Sequence, residues 1–205
     1  MKLKLFFIGC ISLIIAISGI LLITSNNTTA KTQKVAIYAD YPSYDNLQNL
    51  IDKADTIIKG KVIDFNYSYL NIIEKPESDN EFLNPGGEKD TSSIPYTIFT
   101  VEINKVYKGS VNKKDIIEIK QLGGTLGNIE YIDKNAAKLN IGGNYIFFLE
   151  TYPNSPASLL NPIQGSYEYD NNDNIIPNKG NKINFNIKDL DLKMKDLNNI
   201  DNTSN

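Results

Sequence analysis

The chain has no histidine, no tryptophan and no arginine, and its single cysteine is Cys10. Without histidine, Ser–His and Cys–His catalytic pairs are excluded, as are His-ligated zinc and haem sites. Without arginine there is no bidentate fork for phosphate groups. The formal net charge of -3 is also unlike that of a dedicated nucleic-acid binder. We therefore expect no metal, no cofactor and no nucleic-acid partner.

The size and composition favour one folded domain with extensions, although two very small domains would also fit 205 residues. Hydrophobic residues make up 41% of the chain and charged residues 22%, which is typical of a folded protein. Disorder along the whole chain is therefore excluded.

Residues 1–30 have the layout of a secretory signal. Lys2 and Lys4 precede an apolar run over residues 5–23, and a patch of small residues follows and ends at Ala30. The run is about 19 residues long, which is also enough to span a bilayer, so an uncleaved N-terminal membrane anchor is the alternative. In both cases we expect residues 31–205 to be extracytoplasmic, either secreted or anchored to the cell membrane.

Cys10 follows Phe7-Ile8-Gly9, which vaguely resembles a bacterial lipoprotein box. In such boxes the cysteine ends the apolar run, whereas here the run continues well beyond it. We therefore favour a small apolar residue within the membrane segment over a lipidated cysteine. The exported part then has no cysteine and folds without disulfides.

A helix is predicted after a short lead-in over residues 31–42. Ser43 is the predicted N-cap, and Leu47, Leu50 and Ile51 follow at helical spacing. These signals predict a helix over residues 44–54.

Most of the remaining chain is typical of β-structure, with strands that are rich in β-branched and aromatic residues. The predicted strands cover residues 56–69, 96–107, 115–122, 144–151, part of 159–169, and 183–187. Between them we expect a long polar loop at 70–95, a helical turn near 134–138 and a hairpin tip at 170–174. A weak C-terminal helix is predicted at 189–199, with a frayed tail. Five or six strands with one packed helix predict a mainly β fold, a small closed OB-like barrel over residues 43–187, followed by a C-terminal helix and tail at 188–205.

Four segments together resemble the netrin/tissue-inhibitor-of-metalloprotease module, and they are also similar to uncharacterised exported bacterial proteins. The segments are residues 50–62 (LIDKADTIIKGKV), 96–109 (YTIFTVEINKVYKG), 115–119 and 141–148. The resemblance covers roughly residues 47–170 and implies an OB-fold barrel that binds through its loops. In the inhibitors of that family an N-terminal cysteine presents its amine and carbonyl to zinc. The expected mature start here is Lys31, so that inhibitory chemistry does not carry over.

Three polar motifs are interpreted as structural features and not as binding sites. The glycine-rich stretch 121–127 lacks the lysine of a P-loop and is interpreted as a turn. Asp170, Asn172 and Asn174 alternate like part of a calcium loop, but Ile175 replaces the required glycine, which favours a hairpin tip. The acidic residues of the long loop are interpreted as a solvated charge run; they are Glu74, Glu77, Asp79 and Glu81.

Tyrosines on the predicted strands are the candidate ligand-binding residues, because OB barrels bind extended ligands across a face rich in aromatic side chains. The candidates are Tyr67, Tyr69, Tyr96, Tyr107, Tyr167 and Tyr169. The alternative is that these are core and edge residues of the sheet. The sequence thus predicts a non-enzymatic binding module for a protein, a peptide or an envelope glycan. The alternatives are a protease inhibitor that inserts the 70–95 loop, and an envelope hydrolase that uses carboxylates such as Glu102 and Glu118.

Overall fold

The computed structural model describes residues 32–71, 93–178 and 180–203, with side chains described as far as residue 197. The predicted signal or anchor, Cys10, and most of the 70–95 loop with its acidic residues lie outside these ranges. Within them the fold is mainly β, as predicted. Neither helix of the described part has the length and apolar character needed to cross a bilayer.

Nine strands and two helices make up the described part of the chain. In chain order they are β1 (Gln33–Ile37), α1 (Leu47–Lys53), β2 (Thr56–Leu70), β3 (Ile94–Lys108), β4 (Ile116–Leu122), β5 (Gly124–Leu126), β6 (Ile129–Asp133), β7 (Asn144–Tyr152), β8 (Ser155–Leu159), β9 (Ser166–Glu168) and α2 (Ile187–Thr203).

The larger sheet contains six strands in the order β2-β3-β4-β8-β7-β9, and β2 also pairs with β7. β4 and β8 run parallel, and the other pairs in this sheet are antiparallel. The strand predicted at residues 96–107 is confirmed as β3, and its alternating residues Phe99, Val101 and Ile103 are buried. At Gly60 a Cβ atom would lie 2.5 Å from Val101 Cγ1, so glycine allows β2 and β3 to approach closely there.

Two apolar clusters fill the interior. One is formed by the facing side chains of the larger sheet: Ile58, Val62, Phe99, Val101, Ile103, Ile119, Tyr145, Phe147, Leu149 and Ala157. In the other, both helices pack against β7 and β9, and Leu50, Ile146, Phe148 and Leu190 are almost fully buried there. β7 contributes to both clusters, as its continuous apolar sequence predicts.

Helix α1 begins later than predicted. Its N-cap is Asn46, whose side-chain oxygen accepts from the Asn49 N–H at 3.0 Å, so the prediction of Ser43 is wrong. The preceding backbone is held by Gln164, which accepts from the Tyr44 N–H at 2.9 Å and donates to the Tyr44 carbonyl at 2.8 Å. The second bond occupies the Tyr44 carbonyl, which would accept an intrahelical hydrogen bond if the helix began one turn earlier.

A smaller sheet, in the order β1-β6-β5, was not predicted. β1 lies in the expected lead-in and pairs parallel with β6, while β5 and β6 lie between the strands predicted at 115–122 and 144–151. The helical turn near residues 134–138 is absent from the described structure, because the Asp133 carboxylate accepts from the Asn135 N–H and forms a local turn. β1 depends on a distant partner, which single-sequence patterns do not reveal, whereas β5 and β6 form a short local hairpin around residues 127–128.

The strand predicted within residues 159–169 is confirmed as β9, whereas β8, which ends at Leu159, was not predicted. One further strand prediction needs correction. Residues 183–187 are not a strand, because Asn186 accepts from the Asp189 N–H at 2.9 Å and starts α2. The apolar residues of this segment pack instead into the cluster that both helices form with β7 and β9. The predicted C-terminal helix is confirmed as α2, in which Leu190 and Met194 are buried and Leu197 packs against the same cluster.

Candidate functional site

The six candidate tyrosines do not share one surface. Tyr96, Tyr107 and Tyr167 are buried, with at most 8% of each residue exposed, and Tyr169 is half-buried. Only Tyr67 and Tyr69 are open to solvent, with exposed fractions of 41% and 48%.

The buried tyrosines have structural partners. Tyr167 packs edge-on against Phe185, with ring centroids 4.7 Å apart, and burial raises its pKa to about 12. The Lys105 Nζ lies 4.4 Å from the centre of the Tyr107 ring, and burial raises the pKa of this tyrosine above its usual value. The Lys59 Nζ lies 4.2 Å from the centre of the Tyr169 ring. These three side chains therefore act as packing residues of the fold.

The exposed tyrosines belong to a row of aromatic rings at the outer end of the β2–β3 hairpin. Phe65, Tyr67 and Tyr69 alternate along β2 and therefore lie on one face of the sheet. Tyr131 of β6 joins them, with its ring centroid 6.3 Å from that of Tyr69. We call these four residues, Phe65, Tyr67, Tyr69 and Tyr131, the aromatic face. Phe65 belongs to the same alternation along β2 but was not among the predicted site residues. Tyr131 was not predicted because β6 was not.

The aromatic face rests on ordered structure. Phe65 packs against the buried Phe99, with ring centroids 6.0 Å apart. Tyr67 packs against Gly124, where a Cβ atom would lie only 2.5 Å from Tyr67 Cδ1. The buried hydroxyl of Thr97 donates to the Gly123 carbonyl at 2.8 Å. The Gly123-Gly124 pair is thus the point where the smaller sheet packs onto the hairpin.

Tyr69 and Tyr131 are joined through their hydroxyl groups, whose oxygens lie 3.0 Å apart. This hydrogen bond raises the pKa of the Tyr69 hydroxyl above its ordinary value. The rings meet nearly edge-on, at 78°. The contact orients the most exposed ring of β2 against the smaller sheet.

Beside these rings, every second residue of β2 points its backbone N–H and C=O groups away from β3. The Pro95 carbonyl accepts from the Gly123 N–H at 2.9 Å and therefore points towards β4. Two residues that lie directly opposite each other in an antiparallel pair either exchange backbone hydrogen bonds or both direct their N–H and C=O groups away from the partner strand. Tyr69 lies opposite Pro95, so its backbone N–H and C=O point outward, and by alternation those of Tyr67 and Phe65 do the same.

No strand in the described residues pairs with this side of β2 beyond Val62. β7 pairs with β2 from Thr56 to Lys61, and Val62 bonds to the Gly142–Gly143 turn. A register shift between Val62 and Asp64 then marks a β-bulge. Beyond it, the Asp64 carboxylate accepts from the Phe65 N–H at 2.8 Å. We call the outward backbone groups of residues 65, 67 and 69 the free edge.

The carboxylates considered for a hydrolase lie on β3 and β4. Glu118 is directly opposite Thr100, while Glu102 is directly opposite Ile116. Glu118 is exposed and lines an open groove of about 430 Å³ together with Tyr152. Among the described residues no three acidic, cysteine or histidine side chains are grouped as a metal site.

Asp170 lies at the tip of a hairpin closed by the Tyr169–Ile175 bridge. Its carboxylate accepts from the backbone N–H groups of Asn172 and Asn174 and from the Asn174 side chain. The backbone bond from Asn174 is the main reason that its pKa is lowered. The residue is therefore engaged in shaping the turn, in agreement with the hairpin interpretation.

Lys120 is the most unusual cation of the described chain, because it is 7% exposed. Its Nζ donates to Ser155 Oγ at 3.0 Å and to the Pro156 carbonyl at 2.6 Å, and it lies 4.0 Å from the centre of the Tyr152 ring. Burial lowers its pKa. These contacts link β4 to the start of β8.

A scan against models of known protein families finds no match for the chain. A search of curated proteins finds none either. The aromatic face and its free edge are therefore interpreted from their own geometry.

Proposed function

We propose that the chain is an exported or membrane-anchored, non-enzymatic binding module for a protein, a peptide or an envelope glycan. The observation that carries the proposal is the row of exposed rings of Phe65, Tyr67 and Tyr69 on a firmly packed hairpin. Burying the exposed part of each ring in a complex would contribute on the order of 1 kcal/mol. Tyrosine adds a hydroxyl group at low cost in conformational entropy.

We propose further that the larger sheet closes into a small OB-like barrel. The support is the order of pairing, because β2-β3-β4-β8-β7 returns to β2, with β4 and β8 parallel. Closure of this kind leaves few open sheet edges. The resemblance to the netrin/tissue-inhibitor-of-metalloprotease module would follow from this barrel, and OB barrels bind ligands on a face and its adjoining loops.

The export proposal rests on the charged start, apolar run and small-residue patch of residues 1–30. An extracytoplasmic location would place the aromatic face in contact with envelope or extracellular partners. Extracellular protease treatment of intact cells tests this, because the proposal predicts cleavage of the folded part outside the membrane.

The binding proposal is tested by cross-linking in cells that produce the full-length chain. A partner or glycan should be retained by the wild-type chain and lost with Tyr67→Ala and Tyr69→Ala. Tyr152→Ala is the matched control, because Tyr152 has a similar exposed fraction of 39% but lies beside Ile116 and Glu118, at the other end of β4. If no ligand depends on Tyr67 or Tyr69 in chains of unchanged melting temperature, the proposal is wrong.

A further inference from the structure

We infer that an extended peptide segment of a partner chain binds at the free edge as an additional strand beside β2. The inference rests on the proposed function and narrows its ligand to one class. The inference follows from the outward backbone groups of β2, whereas the proposed function follows from the exposed aromatic side chains.

The free edge has a repeat that fits a polypeptide. Phe65, Tyr67 and Tyr69 each direct one N–H and one C=O outward, at intervals of two residues. In an extended strand that interval is about 6.8 Å. The backbone of another extended chain offers donors and acceptors at the same interval, whereas glycans have hydroxyl groups at other spacings. Strand addition of this kind is an established mode of peptide recognition.

Beyond the β-bulge between Val62 and Asp64, the outer half of β2 has few of the features that usually protect an edge strand. Such edges are commonly blocked by proline, by lysine or by a covering element. The sequence from Asp64 to Leu70 contains neither residue type. The Asp64 side chain occupies the N–H of Phe65, and the Ser68 hydroxyl donates to the Tyr69 carbonyl at 3.4 Å. Within the described structure this leaves the N–H and C=O of Tyr67 and the N–H of Tyr69 open. Because a carboxylate can rotate away, the N–H of Phe65 is also accessible to an incoming carbonyl.

The side chains along the edge define the peptide further. A strand added beside β2 would place every second side chain next to the aromatic face. Its other side chains would lie beside Asp64, Asn66 and Ser68, which are polar and not buried. We therefore expect a segment in which apolar or aromatic residues alternate with polar ones, over about five to seven residues.

The test uses the full-length chain and a phage-displayed library of random ten-residue peptides as the probe. Peptides that are enriched on the wild-type chain are synthesised and their affinities are measured. We expect alternating apolar and polar sequences, and a loss of about tenfold or more in affinity with Tyr67→Ala. Tyr152→Ala should leave the affinity unchanged.

A matched pair of substitutions separates the backbone from the ring. Tyr67→Ala and Tyr67→Pro both remove the ring, but only proline removes the outward N–H. We expect Tyr67→Pro to bind at least about fivefold more weakly than Tyr67→Ala. N-methylation of the bound peptide at every second residue should abolish binding, and methylation at the intervening residues should be tolerated. The N-methyl scan tests strand addition even if the Tyr67→Pro variant does not fold.

The outcomes distinguish the inference from the proposed function. Equal affinities for the alanine and proline variants, together with a uniform N-methyl scan, would show binding by side chains alone and overturn strand addition. Enrichment of no peptide, with envelope glycans retained through Tyr67 and Tyr69, would overturn the peptide ligand but leave the binding module standing. If neither a peptide nor an envelope glycan is retained through Tyr67 and Tyr69, both the inference and the proposed function are wrong.

Discussion

Thr97 Oγ1 lies 2.8 Å from the carbonyl oxygen of Gly123 and donates a buried hydrogen bond to it. The bond links β3 to the residue that precedes β5, and it sits directly beneath the ring of Tyr67. Because Gly124 contacts both Thr97 and Tyr67, the smaller sheet and the aromatic face are coupled through this short segment.

Gly124→Ala should therefore disturb the aromatic face as well as the fold. Its φ of +141° is unfavourable for alanine, and the added Cβ would lie 2.5 Å from Tyr67 Cδ1 and 2.8 Å from Thr97 Oγ1. We expect a loss of about 2 to 3 kcal/mol in the free energy of unfolding, measured in urea, and weaker ligand binding.

Gly127→Ala is the matched control for this prediction. Gly127 also has a positive φ, of +62°, but nothing lies within 4 Å of an added Cβ. We expect a loss of about 1 kcal/mol, from the backbone alone, and unchanged binding. Equal effects of the two substitutions would show that the Tyr67 contact is not important.

Gln164→Ala should destabilise the junction between α1 and the β8–β9 turn. The Gln164 side chain is buried and bonds to both the N–H and the carbonyl of Tyr44, so its removal leaves two backbone groups unpaired. We expect a loss of about 2 to 3 kcal/mol in the free energy of unfolding.

Gln48→Ala is the control, because both hydrogen bonds of Gln48 are exposed: it donates to Asp52 within α1 and accepts from Lys193 of α2. It should change the free energy of unfolding by less than about 0.5 kcal/mol. A similarly small effect of Gln164→Ala would contradict the role assigned to its paired hydrogen bonds.

Stability should fall at alkaline pH because of the buried tyrosines. Burial raises the pKa of Tyr167 to about 12, from the ordinary value of 10.0. The folded state therefore favours the protonated hydroxyl, and its contribution is fully present below pH 10. It is lost as the pH rises from 10 towards 12, at up to about 1.4 kcal/mol per pH unit for each such group.

Urea unfolding between about pH 9 and pH 11.5 measures this dependence. Tyr167→Phe removes one titrating group, so its unfolding free energy should fall less steeply with pH than that of the wild type. An identical slope in the two proteins would show that Tyr167 does not carry the effect.

Tyr131→Phe should lower the pKa of Tyr69 towards its ordinary value. The hydrogen bond between the two hydroxyl groups is the main cause of the raised pKa, and the substitution removes it while keeping both rings. An NMR titration of the Tyr69 ring measures the change. An unchanged Tyr69 titration would mean that the two hydroxyl groups are not bonded in solution.

The sequence predicts the long strands well because their side chains alternate along the chain. β2, β3, β4 and β7 were all expected, within one or two residues of their observed bounds. β1, β5 and β6 were missed because they are short. β1 pairs with a segment far away in sequence, while β5 and β6 form a local hairpin. The Asn46 cap and the start of α2 at Ile187 depended on local side-chain bonds that competed with equally plausible alternatives.

The candidate site could be predicted only in part for a similar reason. Alternation places Tyr67 and Tyr69 on one face of β2, but it cannot show which part of a strand other elements cover. Tyr96, Tyr107 and Tyr167 have the same residue type and strand context, yet packed elements bury them. The contribution of Tyr131 depends on the packing of the smaller sheet, which the sequence pattern does not reveal.

The most direct test of the binding module is a hydrogen-exchange map of the full-length chain, with and without a solubilised fraction of the cell envelope. The proposal predicts slower exchange at residues 64–70 and 131, and unchanged exchange at 116–118 and 152. Protection confined to other residues, or no protection at all, would contradict the assignment of the aromatic face as the binding surface.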